Sequence, residues 1–370
     1  MTPEKQEGSE GKSTAASCWT WVFALVALGI GLAGEFAFHG AVPGVLLLVS
    51  VPVLLWAVFA SVHHAETVAH KLGQPFGSII LALSVTVIEV SLIVSLILSA
   101  PEGESTIARD TVFAAIMIVL NGIVGLCLLV GGAQYHRQTV QPHSAIAALG
   151  VLGTLAVLAL ILPNYTKAVP GPLYAPTQLI FVALVSLALY GFFLHAQTVR
   201  HRDDYQDLAD AGTQHEPIAR RDFLVALFLL PLALIAVVLL AEMLSVPVER
   251  AIGQAGLPEA LVGVAIALIV LMPEGLASLR AARENRLQTS VNLALGSALA
   301  SLCLTIPTVA ILSLALGQDL VLGLDAEHIV LLVLSLFMAT LSLANGRTTS
   351  LQGGIHLVIF GAFLTLSAIP

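Results

Sequence analysis

Stretches of roughly twenty apolar residues recur from one end of this chain to the other. They fall at approximately 19–38, 42–62, 77–100, 112–132, 144–162, 174–197, 222–246, 257–279, 289–316, 328–345 and 352–369. Each is long enough to cross a hydrocarbon layer of about 30 Å as a helix rising about 1.5 Å per residue. In water such runs have no partner to cover them, so their solvent is lipid. Composition agrees: of 370 residues, 58% are apolar and 10% are charged, where a soluble domain carries about 25% charged residues. Lipid offers backbone groups no water, so only helices or closed barrels can cross it. The period-two alternation of barrel strands is absent. The chain is therefore expected to be an all-α integral membrane protein with about eleven transmembrane helices.

Charge fixes the expected orientation. Numbering the spans one to eleven sorts the Lys and Arg residues by side. Lys5, Lys12, Lys71, Arg137, Arg200, Arg202, Arg220, Arg221, Arg280, Arg283, Arg286 and Arg347 share the side of the N-terminus, and Arg109, Lys167 and Arg250 take the other. Basic residues gather on the cytoplasmic side, so the N-terminus is expected inside and the C-terminus outside. The formal net charge of −8 matters less than where each charge sits. No basic patch suggests nucleic acid. The run after Trp19 imitates a signal peptide, but it lacks a convincing small-residue cleavage site and a second span comes almost at once. Cys18, Cys127 and Cys303 have no metal-ligand spacing and are expected as packing residues.

The longest hydrophilic link, 200–221, divides the spans after the first into two sets of five. The expected organisation is a cytoplasmic tail (1–18), an extra first helix (19–38), a first five-helix repeat (42–199), a cytoplasmic loop (200–221) and a second five-helix repeat (222–370). Five is odd, so the second set is inverted relative to the first. Inverted repeats mark many secondary transporters, whose substrate site lies between the repeats near mid-membrane. The second span of each half carries one acid, Glu89 and Glu274. The third spans share Leu-Cys-Leu, in Asn121-Gly-Ile-Val-Gly-Leu-Cys-Leu128 and Ser297-Ala-Leu-Ala-Ser-Leu-Cys-Leu304, which sets Asn121 opposite Ser297.

Glu89 lies about 18 Å inside its span with no basic residue within a turn or two. A charged carboxylate there costs about 3 kcal/mol on an insertion scale, so it needs a partner or water. Thr86 shares its helix face; Ser84 needs a kink to do so. Glu274 follows Pro273, which has no N–H and frees a carbonyl near Ile269. A broken helix beside a carboxylate would present hard oxygen ligands of the kind calcium prefers. A kink with Glu274 solvated or paired with Arg280 is the structural alternative. Asn121, Asn292 and Ser297 offer further neutral oxygens, although an Asn in a span also serves as glue between helices. Two carboxylates neutralise one calcium ion. Emptied, the pair is destabilised by desolvation and mutual repulsion and takes up protons, which makes antiport a competition for one set of oxygens. Glu66, just past the first span of its half on the cytoplasmic side, and Glu242, near the outer end of the first span of the other half, are candidates for guarding the two entrances, with a helix cap or interfacial salt bridge as the alternative. His356 offers a proton relay or a packing histidine.

These residues resemble the bacterial ChaA-type calcium/proton antiporters of the cation/calcium exchanger superfamily. The resemblance covers nearly the whole chain. It is densest from His63-His-Ala-Glu66 through Gly77-Ser-Ile-Ile80 to Glu89, and returns in Pro273-Glu-Gly275, Asn292-Leu-Ala-Leu-Gly-Ser297 with Pro307, and Asn345-Gly-Arg-Thr348 with Gly353. It implies the cation/calcium exchanger fold, with Glu89 and Glu274 binding the cation and exchanging protons beside Thr86, Asn121 and Ser297. The chain departs from the wider superfamily just ahead of each glutamate, where Val85-Thr86-Val87 and Val270-Leu271-Met272 stand, the second without a side-chain oxygen.

The function expected is calcium export by exchange for protons, on a sodium- or potassium-exchanging scaffold as the nearest alternative. No cofactor is expected; metal cations, protons and the bilayer are the partners, and nucleic acid is not. A membrane-embedded enzyme would need a nucleophile–base pair or metal-binding histidines at depth, and most of the 11 histidines lie in links. A passive channel is the other alternative.

Overall fold

The computed structural model describes residues 11–38, 44–72, 84, 86–94, 97, 106–205, 219–254, 256, 258 and 260–369. Every expected span meets a helix. They are α1 (Gly11–Phe38) and α2 (Gly44–Leu72), α3 (86–94), α4 (Ile107–Tyr135), α5 (Pro142–Tyr165) and α6 (Pro176–Arg200). The second set is α7 (Arg220–Gln254), α8 (Ala260–Arg283), α9 (Leu287–Leu316), α10 (Ala326–Ala344) and α11 (Ser350–Ala368). Among the described residues 9 helices are long and apolar enough to cross a membrane, and Trp19–Gly34 forms a shorter apolar one. Most of the third span outside 84–97, and the linker over 206–218, lie outside the described residues.

Several helices overrun the apolar runs that announced them. The second run fades near 62, yet α2 continues to Leu72, and α7 reaches Gln254. Hydropathy marks where hydrocarbon ends, whereas a helix continues into the polar interface until its backbone is capped.

The links sort into two ends in strict alternation. At one end strand β1 (Gln138–Thr139) pairs antiparallel with β2 (Arg347–Thr348), Gln138 opposite Thr348. There Tyr135 Oη donates to the Arg283 carbonyl at 2.7 Å, and Gln138 Nε2 to that of Ala282 at 2.9 Å. These contacts gather the links after α4, α8 and α10. At the opposite end, Arg109 donates to the Gly323 carbonyl at 2.9 Å and to Asp325 at 3.2 Å. Asn164 Nδ2 donates to the Leu324 carbonyl at 2.7 Å, and Leu173 bridges to Val321. That end gathers the links before α4, after α5 and after α9. Alternate links meet only if successive helices run antiparallel, as transmembrane crossings require.

The interior forms two apolar clusters. The smaller joins α1, α2 and α7 through residues such as Ala27, Val58, Ala236 and Leu240. The larger joins α4, α5, α6, α9, α10 and α11 through residues such as Val112, Leu152, Leu299, Leu332 and Phe363. Among the described residues only the third span and α8 supply side chains to both: Ile88 and Val270 to the smaller, Ile93 and Leu271 to the larger. Without a hydrophobic force between helices in lipid, close backbone approach becomes the main source of attraction. It is tightest between α4 and α11, where a Cβ added at Gly353 would lie 2.2 Å from the Leu129 amide nitrogen.

Candidate ion-binding site

Glu89 and Glu274 sit on the two helices that belong to both clusters. Both side chains are buried, at 3% and 8% exposure. Glu89 Oε1 accepts a hydrogen bond from the Ser301 hydroxyl of α9. Glu274 differs: neither of its buried carboxyl oxygens has a hydrogen-bond partner in another described residue. Both Glu89 and Glu66 lie within electrostatic range of it. Ser278, one turn further along α8 on the same face, also presents a buried hydroxyl without a partner among the described residues, as does Thr305, one turn beyond Ser301 on α9. A buried carboxylate without a donor is costly unless a proton or a cation satisfies it. The arrangement therefore suits a group of oxygens that is completed by something brought in.

Helix α8 corrects one expectation. The helix is not broken at Pro273 but continues from Ala260 to Arg283. A single proline removes one backbone hydrogen bond, and the turns on either side still satisfy theirs. The freed carbonyl survives inside a regular helix. Glu274 does not pair with Arg280, since both its oxygens lack a partner; Arg280 is exposed and acts on Glu66 instead.

The other expected residues scatter. Ser84 and Thr86 are buried in the third span. Ser297 is half-buried on α9, one turn before Ser301 on the same face. Asn121 lies within a π-helical stretch of α4, Ile118–Ile123, a distortion that often marks functional positions. Its amide nitrogen donates to Ser335 Oγ at 2.8 Å, and its Oδ1 lies 3.0 Å from His356 Nδ1. The other ring nitrogen of His356 lies 3.2 Å from Ser342 Oγ. His356 is therefore held at both nitrogens: Nδ1–H donates to Asn121, and Nε2 accepts from Ser342. Asn292 is further off. Its Nδ2 donates to the Tyr205 carbonyl at 2.7 Å and its Oδ1 accepts from Gln288 at 2.9 Å. Nine residues, about 13.5 Å of helix rise, separate it from Ser301. Glu66 is half-buried, whereas Glu242 is exposed on α7, so the two expected entrance acids sit in unlike surroundings.

Ser301 and Ser278 were not singled out in the sequence. Aligning the two Leu-Cys-Leu motifs places Ser301 opposite Gly125, and that exchange of a hydroxyl for a hydrogen is the signal that marks it.

A model of the family described as sodium/calcium exchanger protein matches residues 42–199 and 225–369. The chain belongs to this exchanger family. Among its relatives, the putative ionic transporter y4hA of Sinorhizobium fredii is 53% identical over 365 residues, 97% of this chain and 98% of that one. The sodium-potassium/proton antiporter ChaA of Escherichia coli is 37% identical over 317 residues, 84% of this chain and 85% of the relative. The crystal structure of the H+/Ca2+ exchanger CAX superposes with a TM-score of 0.74 at 15% identity, covering 97% of this chain and 90% of that one. This exchanger is thus a multi-pass, all-α membrane protein with the cation/calcium exchanger fold.

Proposed function

We propose that this exchanger is a secondary cation/proton antiporter, in which Glu89 and Glu274 hold either a metal cation or protons. The observation that carries it is the burial of both acids on the two helices shared by the apolar clusters, one lacking any donor among the described residues. Two carboxylates within electrostatic range, away from water, repel each other when both are charged. A divalent cation between them cancels that repulsion, and so does protonation. The two ligand sets exclude each other, which couples their movements in opposite directions. Ser301 and Ser278 supply neutral oxygens beside the acids.

Alternating access follows from the division of the interior. The group α1, α2 and α7 is the candidate to slide against the larger cluster, since among the described residues only the third span and α8 belong to both. Glu66, on α2 and within range of Glu274, then stands on the way from the basic end of the molecule. That end is assigned to the cytoplasm by the excess of Lys and Arg on it, in a bacterial inner membrane.

Calcium is proposed as the exported ion, because two negative charges and hard oxygens match a divalent ion of its class. A second reading, sodium or potassium exchange on the same residues, is favoured by two observations. No side-chain oxygen precedes Glu274 over Val270-Leu271-Met272, and the relative in Escherichia coli is named as a sodium-potassium/proton antiporter. Everted vesicles holding a proton gradient test both. Collapse of the gradient on adding calcium supports calcium exchange; collapse with sodium or potassium alone replaces it with the monovalent reading. A cation current that moves no protons would remove antiport altogether.

A further inference from the structure

A second group of metal-ligand side chains lies at the basic end of the molecule, far along the chain from the buried acids. His143 stands in the first turn of α5, and His201 and Asp204 come just after the end of α6. One ring nitrogen from each histidine and a carboxylate oxygen of Asp204 all lie within 4.8 Å of one another. One edge, His201 Nδ1 to Asp204 Oδ2, is 3.8 Å. A tetrahedral ion with bonds of about 2.1 Å has edges of about 3.4 Å. Closing the triangle therefore asks for movements of roughly 1 Å or less, by side chains that are exposed enough to turn: His201 is 45% and Asp204 41% open to solvent. The two rings already meet edge to face, with centroids 5.7 Å apart.

We propose that His143, His201 and Asp204 form a binding site for a first-row transition-metal dication, of the zinc or nickel class, which staples the linker between the two sets of five helices to the start of α5. Two imidazoles and one carboxylate are the ligand set such ions take, whereas calcium takes oxygens. The site therefore selects a different cation from the one that two buried carboxylates suit. The backbone that carries it is held in place. Tyr205 stacks edge-on against Phe193 with centroids 6.1 Å apart, and its carbonyl accepts from Asn292 of α9. Supporting contacts of this kind orient metal ligands. The other mixed group, Asp325, Glu327 and His328, has a cation in place already, because Arg109 pairs with Asp325 at 3.2 Å.

The test is a cobalt titration of the purified, tag-free, full-length exchanger in detergent, monitored by visible absorption. One cobalt ion per chain is expected, displaced by zinc. His143→Ala and His201→Ala should each weaken binding at least about tenfold, while eluting as the same monodisperse species as the unaltered protein. His143→Cys should restore binding and add a thiolate-to-cobalt charge-transfer band, which a merely structural role for His143 does not produce. Absence of one-to-one binding, unchanged affinity in both alanine variants, or a His143→Cys protein without that band overturns the proposal.

Discussion

The surroundings of Glu89 and Glu274 differ more than their matching places in the two halves suggest. Glu89 receives a hydroxyl from another helix, whereas both carboxyl oxygens of Glu274 are buried without a hydrogen-bond partner in another described residue and have two other acids in range. A carboxylate that already has a donor is partly compensated. One without a donor depends wholly on what is bound. On the proposed antiport reading, this difference gives Glu89 the part of anchoring the ion and Glu274 that of sensing its arrival.

The strongest way to break this comparison is to neutralise each acid. Glu274→Gln and Glu89→Gln are each expected to abolish cation-driven proton movement in everted vesicles, with the protein still folded in the membrane. Full transport by either variant removes that residue from the site. Ser301→Ala comes next. A hydrogen bond to a charged group contributes about 1.5–3 kcal/mol, so apparent cation affinity should fall roughly 10- to 100-fold. Initial exchange rates over a range of cation concentrations measure it, and an unchanged half-saturation would show that the anchor on Glu89 is dispensable. Gly353→Ala tests the frame around the site. A methyl group 2.2 Å from a backbone nitrogen must push α4 and α11 apart, at a cost of about 1–3 kcal/mol, read as a lower temperature of aggregation in detergent. The smallest effect is expected outside the pair. Glu66→Gln should raise half-saturation only about threefold, near the size of a partly screened charge interaction, and Glu242→Gln should leave it unchanged. Equal effects from the two would restore the matched pair of entrance acids that the structure separates.

Much of the fold was legible because lipid imposes a simple rule: each apolar run of sufficient length becomes a crossing. The runs at 112–132 and 289–316 correspond to α4 and α9 in this way. The two acids were legible because a glutamate in such a run has few structural excuses. Their surroundings were not. Ser301 reaches Glu89 across 212 positions of sequence, and His356 reaches Asn121 across 235; no local pattern encodes which helices become neighbours. Asn292 illustrates the reverse error. Its neighbourhood resembled a ligand motif, but its place near the start of α9 puts its amide beside Tyr205 at the polar end. Pro273 was expected to interrupt α8, and the remaining hydrogen bonds of the helix carried it through.

Helices α4 and α10 are belted at both extremities: by the Arg109 contacts with Gly323 and Asp325 at one end, and by the β1–β2 ribbon at the other. Among the described residues α1 and α2 have no part in either belt, and α1 lies against α7 through Gly31 and Gly34, which face Leu239 and Met243. Amide protons should thus escape to deuterated solvent sooner from α1 and α2 than from the girdled pair, whose release must wait for larger openings.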